Sequence, residues 1–155
     1  MAQHNYTSRI EWTGNRGTGT SGYRDYDRNW TVATPGKPPI ACSNDPLLGG
    51  DPTLHNPEDL LLASLAACHM LWYLHYASVA GITVLGYRDN PIGRGDSMPD
   101  GAGRFLAATL RPHITLARGS DVAAADAIHA DIHKVCFIAR SVNFSVGYAA
   151  TYSVA

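Results

Sequence analysis

The amino-acid sequence predicts an α+β fold in which antiparallel strands surround a long, buried central helix and a second helix. Segments that alternate apolar and polar residues flank the helical segments in the order β-β-α-β-β-α-β. Paired strands separate the helices, whereas a doubly wound parallel sheet needs one helix for each strand. With 155 residues, of which 45% are hydrophobic, the chain is expected to form one domain over residues 1–155.

Two strands are predicted before the first helix. One covers Tyr6–Thr13, and the other runs from Tyr26 to Val32. The glycine-rich segment 14–19 between them is predicted to form a turn. Six prolines between positions 35 and 57 exclude a long regular element, so we expect an ordered loop there. Cys42 lies in this loop and is interpreted as incidental.

The clearest local signal marks the start of the central helix. Asn56 is a good N-cap residue, Pro57 suits the first helical position, and an acidic first turn follows. Gly81 is predicted to end the helix, which then runs from about Pro57 to Val79. Apolar residues cover nearly its whole circumference, a pattern typical of a helix buried on all sides. Its acidic start and internal histidines make it a poor membrane span.

The second half of the chain alternates strands with one helix. Pro112 predicts a bulge or an edge position, and segment 90–103 is predicted to be a loop. Ser120 is the predicted N-cap of the second helix. The predicted elements are strand Ile82–Tyr87, strand Arg104–Leu116, helix Ser120–Arg140 and strand Phe144–Val154.

Composition and charge exclude several classes of function. A net charge of −1 provides no basic surface for nucleic acid or an anionic membrane. Three cysteines without an apolar leader do not suggest a structural disulfide framework, and we expect a cytoplasmic protein. No residue pattern indicates a bound cofactor. Only 16% of residues are charged, which suggests that part of the surface is covered in an oligomer.

Two cysteines lie on the predicted helices. On the central helix, Ser64 and Trp72 fall near the same face as Cys68, and Cys136 is expected near the end of the second helix. A buried free cysteine can also be simply a small hydrophobic residue, so position alone leaves both interpretations open.

A second pattern around Cys136 could bind a metal. His129, His133 and Cys136 have spacings that can place three ligands on one helix face. However, the predicted buried stripe of this helix leaves both histidines toward its edge and the solvent. We therefore expect no metal; that stripe is formed by Ile128, Ile132, Val135 and Ala139.

Two motifs resemble those of the OsmC/Ohr family. The segment 56–68, NPEDLLLASLAAC, resembles the family signature that leads to a reactive cysteine. The segment 133–137, HKVCF, resembles its second-cysteine motif. The resemblance spans nearly the whole chain and points to an OsmC-like subgroup. It implies the OsmC-like α+β fold and an intertwined homodimer with two active sites at the interface.

The resemblance also implies roles for individual residues. Cys68 matches the cysteine that attacks a peroxide, and Cys136 matches the resolving cysteine. Arg16 and Glu58 match an arginine and a glutamate of the family. A thiolate needs a nearby cation, and a carboxylate can orient that guanidinium.

Arg16 lies in a turn where insertions are common, so Arg24 and Arg28 are alternatives for its role. The acidic first turn of a helix is also favoured by the helix dipole, so a glutamate such as Glu58, taken alone, is more often a cap than a site residue.

The implied activity is the reduction of organic hydroperoxides to alcohols, through a sulfenic acid and a disulfide that a dithiol reduces. In the family, that reductant is often of the lipoyl type. His69 stands where an aromatic residue is common, and Phe137 with Ile138 replaces a proline-containing run. These departures leave a second hypothesis, a non-enzymatic stress or small-ligand-binding protein on the same fold.

Overall fold

The computed structural model describes residues 3–155 and contains both helices and sheets, which confirms the predicted α+β class. The chain forms two compact units, Met1–Leu60 and Leu61–Ala155. The expectation of a single domain over residues 1–155 stays a prediction.

The first unit contains a three-stranded antiparallel sheet in the order β1-β2-β3. Its strands are β1 (Ile10–Trp12), β2 (Trp30–Val32) and β3 (Ile40–Cys42). Both predicted strands are therefore shorter than expected, and β3 lies in the segment predicted to be irregular. The prediction was wrong there because pairing with β2, Val32 opposite Ile40, stabilises an extended segment between the prolines.

Cys42 is fully buried at the end of β3, and its interpretation as incidental to the chemistry stays a prediction. Burial raises the pKa of its thiol. Cys42 therefore acts as a small apolar residue that fills the interior of the first unit.

The central helix, α1, covers Pro57–Val79 as predicted. The Asn56 side chain accepts a hydrogen bond from the Asp59 backbone N–H at 2.8 Å, and the Asp59 carboxylate accepts one from the Asn56 N–H at 3.3 Å. Gly81 has a φ of 72° beyond the last turn. The Ile82 N–H donates to the Ala77 carbonyl at 2.8 Å, which closes a Schellman motif.

The expectation that α1 is buried on all sides is wrong for the single chain. One stripe at helical spacing is buried, while Leu71 and Val79 are 63% and 74% exposed. By length and composition, α1 is the one helix of residues 3–155 that could cross a membrane, which is weak evidence because core helices pass the same test. The buried stripe consists of Leu65, Ala66, His69, Tyr73 and Ala77.

The second unit contains two three-stranded sheets, in the orders β4-β7-β9 and β5-β6-β8. Helices α2 (Val122–Ala127) and α3 (His129–Ile132) connect β7 to β8. The strands are β4 (Val84–Asp89), β5 (Ile92–Ser97), β6 (Gly103–Leu110), β7 (Pro112–Leu116), β8 (Ser145–Tyr148) and β9 (Thr151–Val154).

Three strand predictions in this unit were wrong. Segment 90–103 contains β5, which pairs with β6. The predicted strand Arg104–Leu116 is divided into β6 and β7 at Arg111, next to a proline that has no N–H for a regular ladder. The last strand is likewise divided at residues 149–150. Each half then joins a different sheet.

The two sheets of the second unit are mixed rather than purely antiparallel. Strand β8 runs parallel to β6, and β9 runs parallel to β7. Two parallel strands begin at the same end of a sheet, so the chain must cross back to that end between them. The segment with α2 and α3 is long enough for this crossover.

The second helix also differs from the prediction. Asp121, not Ser120, is its N-cap, because the Asp121 carboxylate accepts hydrogen bonds from the N–H groups of Ala123 and Ala124. Regular helix ends at Ile132, so Cys136 follows the helix instead of lying on it. No proline or glycine stands in residues 122–140, and the interruption therefore reflects tertiary packing.

The core of the second unit contains two clusters. One is formed around Tyr73, Ile114 and Ile132 and includes Cys136, and Cys68 packs against its edge. The other contains Leu65, Ala66, Ala108 and Leu110. The two cysteines that the sequence singled out therefore share one apolar environment.

Candidate active site

Cys68 lies in the middle of α1, beside the buried stripe of that helix. The residue is half-buried, and Trp72, one turn later, packs against the same cluster. A thiol at this position is supported by a rigid helix and remains partly open to solvent.

Cys136 is held by the turn that follows α3. Its N–H donates to the Ile132 carbonyl at 2.8 Å, and its carbonyl accepts from the Arg140 N–H at 3.0 Å. The Ala139 N–H donates to the Cys136 Sγ at 3.4 Å. The residue is only 1% exposed, so its thiol has a defined position in the core.

The fold brings the two thiols into contact. The Cys136 Sγ donates to the Cys68 Sγ at 2.6 Å, although the residues are 68 positions apart. A disulfide bond is about 2.05 Å long, so bond formation requires only a small movement of either side chain. The arrangement can therefore alternate between a dithiol and a disulfide without refolding.

Burial keeps Cys136 in its protonated form. Loss of solvent, followed by the hydrogen bond to Cys68, raises the pKa of the Cys136 thiol to about 11. At neutral pH, Cys136 is therefore a thiol rather than a thiolate.

The other predicted site residues lie in the first unit. The Arg16 guanidinium donates to the backbone carbonyls of Arg24 and, at 3.2 Å, Asp25. It is also 3.7 Å from the Asp27 carboxylate. Within residues 3–155, Arg16 forms this ion pair and none with Glu58, which is exposed in the first turn of α1.

Arg28, one alternative for Arg16, packs against two tyrosine rings. Its guanidinium lies 4.3 Å from the centre of the Tyr23 ring and 4.4 Å from that of Tyr26. It also donates to the backbone carbonyls of both tyrosines. These contacts hold the loop together.

A buried histidine pair is the main feature that the sequence analysis missed. The His69 Nε2 and the His129 Nδ1 are 2.8 Å apart, and the residues are 7% and 1% exposed. The expectation that His129 faces solvent is wrong, because the buried stripe passes through Ala125, His129, Ile132 and Cys136. Successive residues of this stripe are four, three and four positions apart, and this helical spacing was the signal in the sequence that could have placed His129 in the core.

The histidine pair is neutral at physiological pH. Burial lowers the pKa of both His69 and His129 to about 4; His129 lowers that of His69 further, whereas Asp126 acts in the opposite direction on His129. The rings of Tyr73 and Tyr148 stack on His129, with centroids 4.5 and 4.9 Å away. The other ring nitrogen of His129, Nε2, is buried without a hydrogen-bond partner in the described chain.

No group of three or more potential ligands in residues 3–155 is arranged to hold a metal. His133, the other histidine of the predicted metal motif, is exposed. In place of a metal site, a cavity of about 160 Å³ lies beside Cys136. Its polar lining side chains are His69, His129, His133, Cys136 and Tyr148.

Comparisons with known proteins agree with this architecture. Among solved structures, an OsmC-like protein of unknown function from Vibrio cholerae is 24% identical, with a TM-score of 0.85 and coverage of 96% of this chain and 99% of that chain. An organic hydroperoxide resistance protein from Legionella pneumophila is also 24% identical, with a TM-score of 0.66 and coverage of 97% and 99%.

A third similar structure is an organic hydroperoxide resistance protein from Elizabethkingia anophelis, which is 19% identical. Its TM-score is 0.68, and the alignment covers 99% of this chain and 100% of that chain. A comparison with curated proteins finds no match. A family model described as OsmC-like protein matches residues 50–148, and the chain therefore belongs to the OsmC-like protein family.

Proposed function

We propose that the protein is a thiol-dependent peroxidase that reduces organic hydroperoxides to alcohols. The Cys68 thiolate attacks the distal peroxide oxygen, which releases the alcohol and leaves a sulfenic acid. The Cys136 thiol then condenses with that sulfenic acid, so that a disulfide forms and water leaves. A dithiol reduces the disulfide and completes the cycle.

The observation that carries this proposal is the 2.6 Å separation between the Cys68 and Cys136 sulfurs. Two thiols that only fill a core have no need for such close contact, whereas a resolving thiol must reach the sulfenic sulfur directly. The similar proteins from Legionella and Elizabethkingia carry names that refer to organic hydroperoxide resistance, which agrees with this chemistry.

Burial supports the order of the two roles. Cys68 is half-buried and accessible to a substrate, whereas Cys136 is 1% exposed. The raised pKa of Cys136 keeps it protonated until the sulfenic acid forms beside it. Cys68 is therefore the proposed attacking cysteine and Cys136 the proposed resolving cysteine.

The proposal assigns Arg16 to the Cys68 thiolate and Glu58 to the orientation of that arginine. Two backbone carbonyls and Asp27 already restrain the Arg16 guanidinium, so its charge has a defined position. Glu58 precedes Cys68 by ten residues on α1, or about 15 Å along the axis, so it must act through another group.

An organic substrate agrees with the side chains near Cys68. Leu71 and Trp72 follow it on α1 and, with His75, line a shallow surface depression. Apolar surface of this kind favours an alkyl or aryl hydroperoxide over hydrogen peroxide. We also propose that the reaction occurs in the cytoplasm, where dithiols are kept reduced.

A homodimer is part of the proposal, because α1 exposes large apolar side chains. Leu71 and Val79 are more than half exposed, and a second copy of the chain would cover such a surface. Light scattering at micromolar concentration is expected to give twice the chain mass of 16.6 kDa. A mass of one chain would contradict the dimer.

The decisive experiment treats the reduced protein with one equivalent of cumene hydroperoxide. Two thiols should be lost, and peptide mapping should find a disulfide between the peptides of Cys68 and Cys136. Cys42 should remain reduced, because it is fully buried in the first unit. A bridge to Cys42, or no loss of thiols, would contradict the peroxidase and favour a passive binding protein.

A further inference from the structure

Cys136 must lose a proton when the disulfide forms. Its thiol is protonated at neutral pH, because burial raises the pKa to about 11. A displacement at sulfur proceeds in line, so the Cys136 sulfur approaches the Cys68 sulfur from the side opposite the departing oxygen. The thiol proton therefore cannot pass directly to that oxygen and needs another acceptor.

Within residues 3–155, the contacts of the Cys136 sulfur direct that proton to the cavity. In the reduced protein the S–H group points at the Cys68 sulfur, where a lone pair must stand when the bond forms. A second direction holds the Ala139 N–H, a donor that cannot accept a proton. Cys136 also lines the cavity of about 160 Å³, whose lining does not include Cys68. The proton therefore leaves the sulfur on the cavity side.

His129 presents an acceptor to the same cavity. It lines the cavity and is 1% exposed, yet its Nε2 has no hydrogen-bond partner in the described chain. A neutral imidazole has one nitrogen without a proton, and that nitrogen is an acceptor. The cavity has room for water, which needs roughly 15 Å³ and two or more polar partners. The Cys136 sulfur and the His129 Nε2 are such partners, so water can join them.

The path continues from His129 to His69. The His129 Nδ1 and the His69 Nε2 are 2.8 Å apart, so a His129 ring with an unprotonated Nε2 donates from Nδ1 to His69. A proton taken up at Nε2 is then balanced by one released from Nδ1, and His129 changes tautomer without becoming charged. This mode of transfer suits the pair, because burial lowers both pKa values to about 4 and opposes an imidazolium. His69 lies on α1 and is 7% exposed, which gives the path an outlet.

From these contacts we propose that His129 and His69 form a proton-transfer path for the resolving cysteine. The path takes the proton from Cys136 while the disulfide forms and returns one when the disulfide is reduced. This inference rests on the proposed function, because it concerns the resolving step. It assigns a role to a buried pair that neither cysteine motif indicates.

The atoms of the step balance. The Cys136 sulfur forms a bond to the Cys68 sulfur, and the bond between the Cys68 sulfur and the hydroxyl oxygen breaks. The thiol proton passes through water to the His129 Nε2, the Nδ1 proton of His129 passes to His69, and one proton leaves His69 for the solvent. The departing hydroxide takes up a solvent proton and becomes water. The reverse transfer during reduction restores both tautomers.

The test follows closure of the bridge without peroxide. Dithiodipyridine, an uncharged aromatic disulfide, caps the half-buried Cys68 and releases one thiopyridone. Cys136 then attacks the capped Cys68 sulfur, loses its proton and releases a second thiopyridone. The two releases appear as two phases of thiopyridone absorbance. The first phase reports access to Cys68, and the second reports the step that the histidines assist.

In His129→Gln the second phase should slow about 100-fold, a typical contribution of acid–base catalysis, while the first phase keeps its rate. Glutamine keeps a polar side chain but cannot pass a proton between two ring nitrogens. His69→Gln should slow the second phase as much, and the double variant no further, because both residues belong to one path. An unchanged second phase in either single variant, or effects that multiply in the double variant, would overturn the inference.

His133→Gln is the matched control. His133 also lines the cavity, but it is exposed and lies outside the histidine pair. The same substitution should leave both phases at wild-type rates. A slow second phase in His133→Gln, with a normal one in His129→Gln, would assign the proton to the exposed ring and refute the path.

Chemical rescue separates proton transfer from packing. His129→Ala leaves space for a small ring at the wall of the cavity. Added imidazole should restore much of the second phase, whereas pyrrole, the same ring without an unprotonated nitrogen, should not. Equal rescue by both rings, or rescue by neither, would contradict the path. If a variant does not fold, the wild type still decides, because equal second phases in water and deuterium oxide would rule out proton transfer in this step.

Failure of the path and failure of the peroxidase give different results. A wild type that closes the bridge with dithiodipyridine but loses no thiols with cumene hydroperoxide would contradict the peroxidase and leave the proton path intact. A wild type that forms the disulfide with peroxide, together with histidine variants that close it at the wild-type rate, would contradict the path alone.

Discussion

A decrease in pH from 7 to 5 is expected to destabilise the protein by about 4 kcal/mol through the His69–His129 pair. In the unfolded chain each imidazole takes up a proton near its ordinary pKa of 6.5, whereas in the folded protein burial lowers both values to about 4. Between these values the unfolded state binds more protons, so stability falls as the pH falls.

The size of this loss of stability follows from the difference between the pH and the pKa of the unfolded chain. Each pH unit corresponds to about 1.4 kcal/mol for one group, and pH 5 lies about 1.5 units below 6.5, which makes about 2 kcal/mol for each histidine. At pH 5 both rings of the folded protein are still neutral. The combined loss is large compared with a typical folding stability of about 5 to 15 kcal/mol.

Urea denaturation at pH 7 and pH 5 measures this loss. The double variant His69→Gln, His129→Gln keeps polar side chains at both positions but cannot be protonated, so its stability should lose about 4 kcal/mol less over the same range. His133→Gln is the control, because His133 is exposed, and it should behave as the wild type.

The reasoning is refuted if the wild type and the double variant lose the same stability between pH 7 and pH 5. A second measurement uses only the wild type, so it tests the same reasoning even if the double variant does not fold. In the wild type, the ring proton resonances of His69 and His129 should not titrate between pH 7 and pH 5, and titration near pH 6.5 would equally refute the proposal that the pair is neutral.

Three further predictions concern the proposed peroxidase. Cys68→Ser should reduce peroxide consumption to background and leave the thermal unfolding profile nearly unchanged, because serine keeps the volume and loses the thiolate; wild-type turnover would exclude Cys68 as the nucleophile. Cys136→Ser should form a Cys68 sulfenic acid that excess peroxide converts to sulfinic acid, detected as a mass increase of two oxygens, whereas an unmodified protein would argue against attack by Cys68. Arg16→Ala should slow alkylation of Cys68 at pH 7 about tenfold, whereas Arg24→Ala should not, and the reverse ranking would assign the thiolate to Arg24.

Local signals in the sequence were sufficient to predict the bounds of α1 and to identify the family. The Asn56 cap, Pro57 and Gly81 act within a few residues of each helix end, so the boundaries Pro57–Val79 could be predicted from neighbours in the chain. The two cysteine motifs likewise identified an OsmC-like protein, which the family model confirms.

The division of the later strands and helix could not be predicted in the same way. Residues 122–140 favour a continuous helix by composition, yet regular helix ends at Ile132. Strand β5 and the division of the last strand into β8 and β9 depend on partners far away in the chain. Pairing with those partners outweighs local preference, because a strand is stabilised mainly by its neighbours.

The sequence by itself identified Cys68 and Cys136 as candidate redox residues, and the tertiary structure decided that they meet. Cys68 and Cys136 were both identified from motifs, but only the packing of the turn after α3 against α1 brings their sulfurs to 2.6 Å. The hydrogen bond of His69 to His129 joins residues 60 positions apart. Motifs report local chemistry, whereas contact, burial and the resulting pKa values arise only when distant segments share one core.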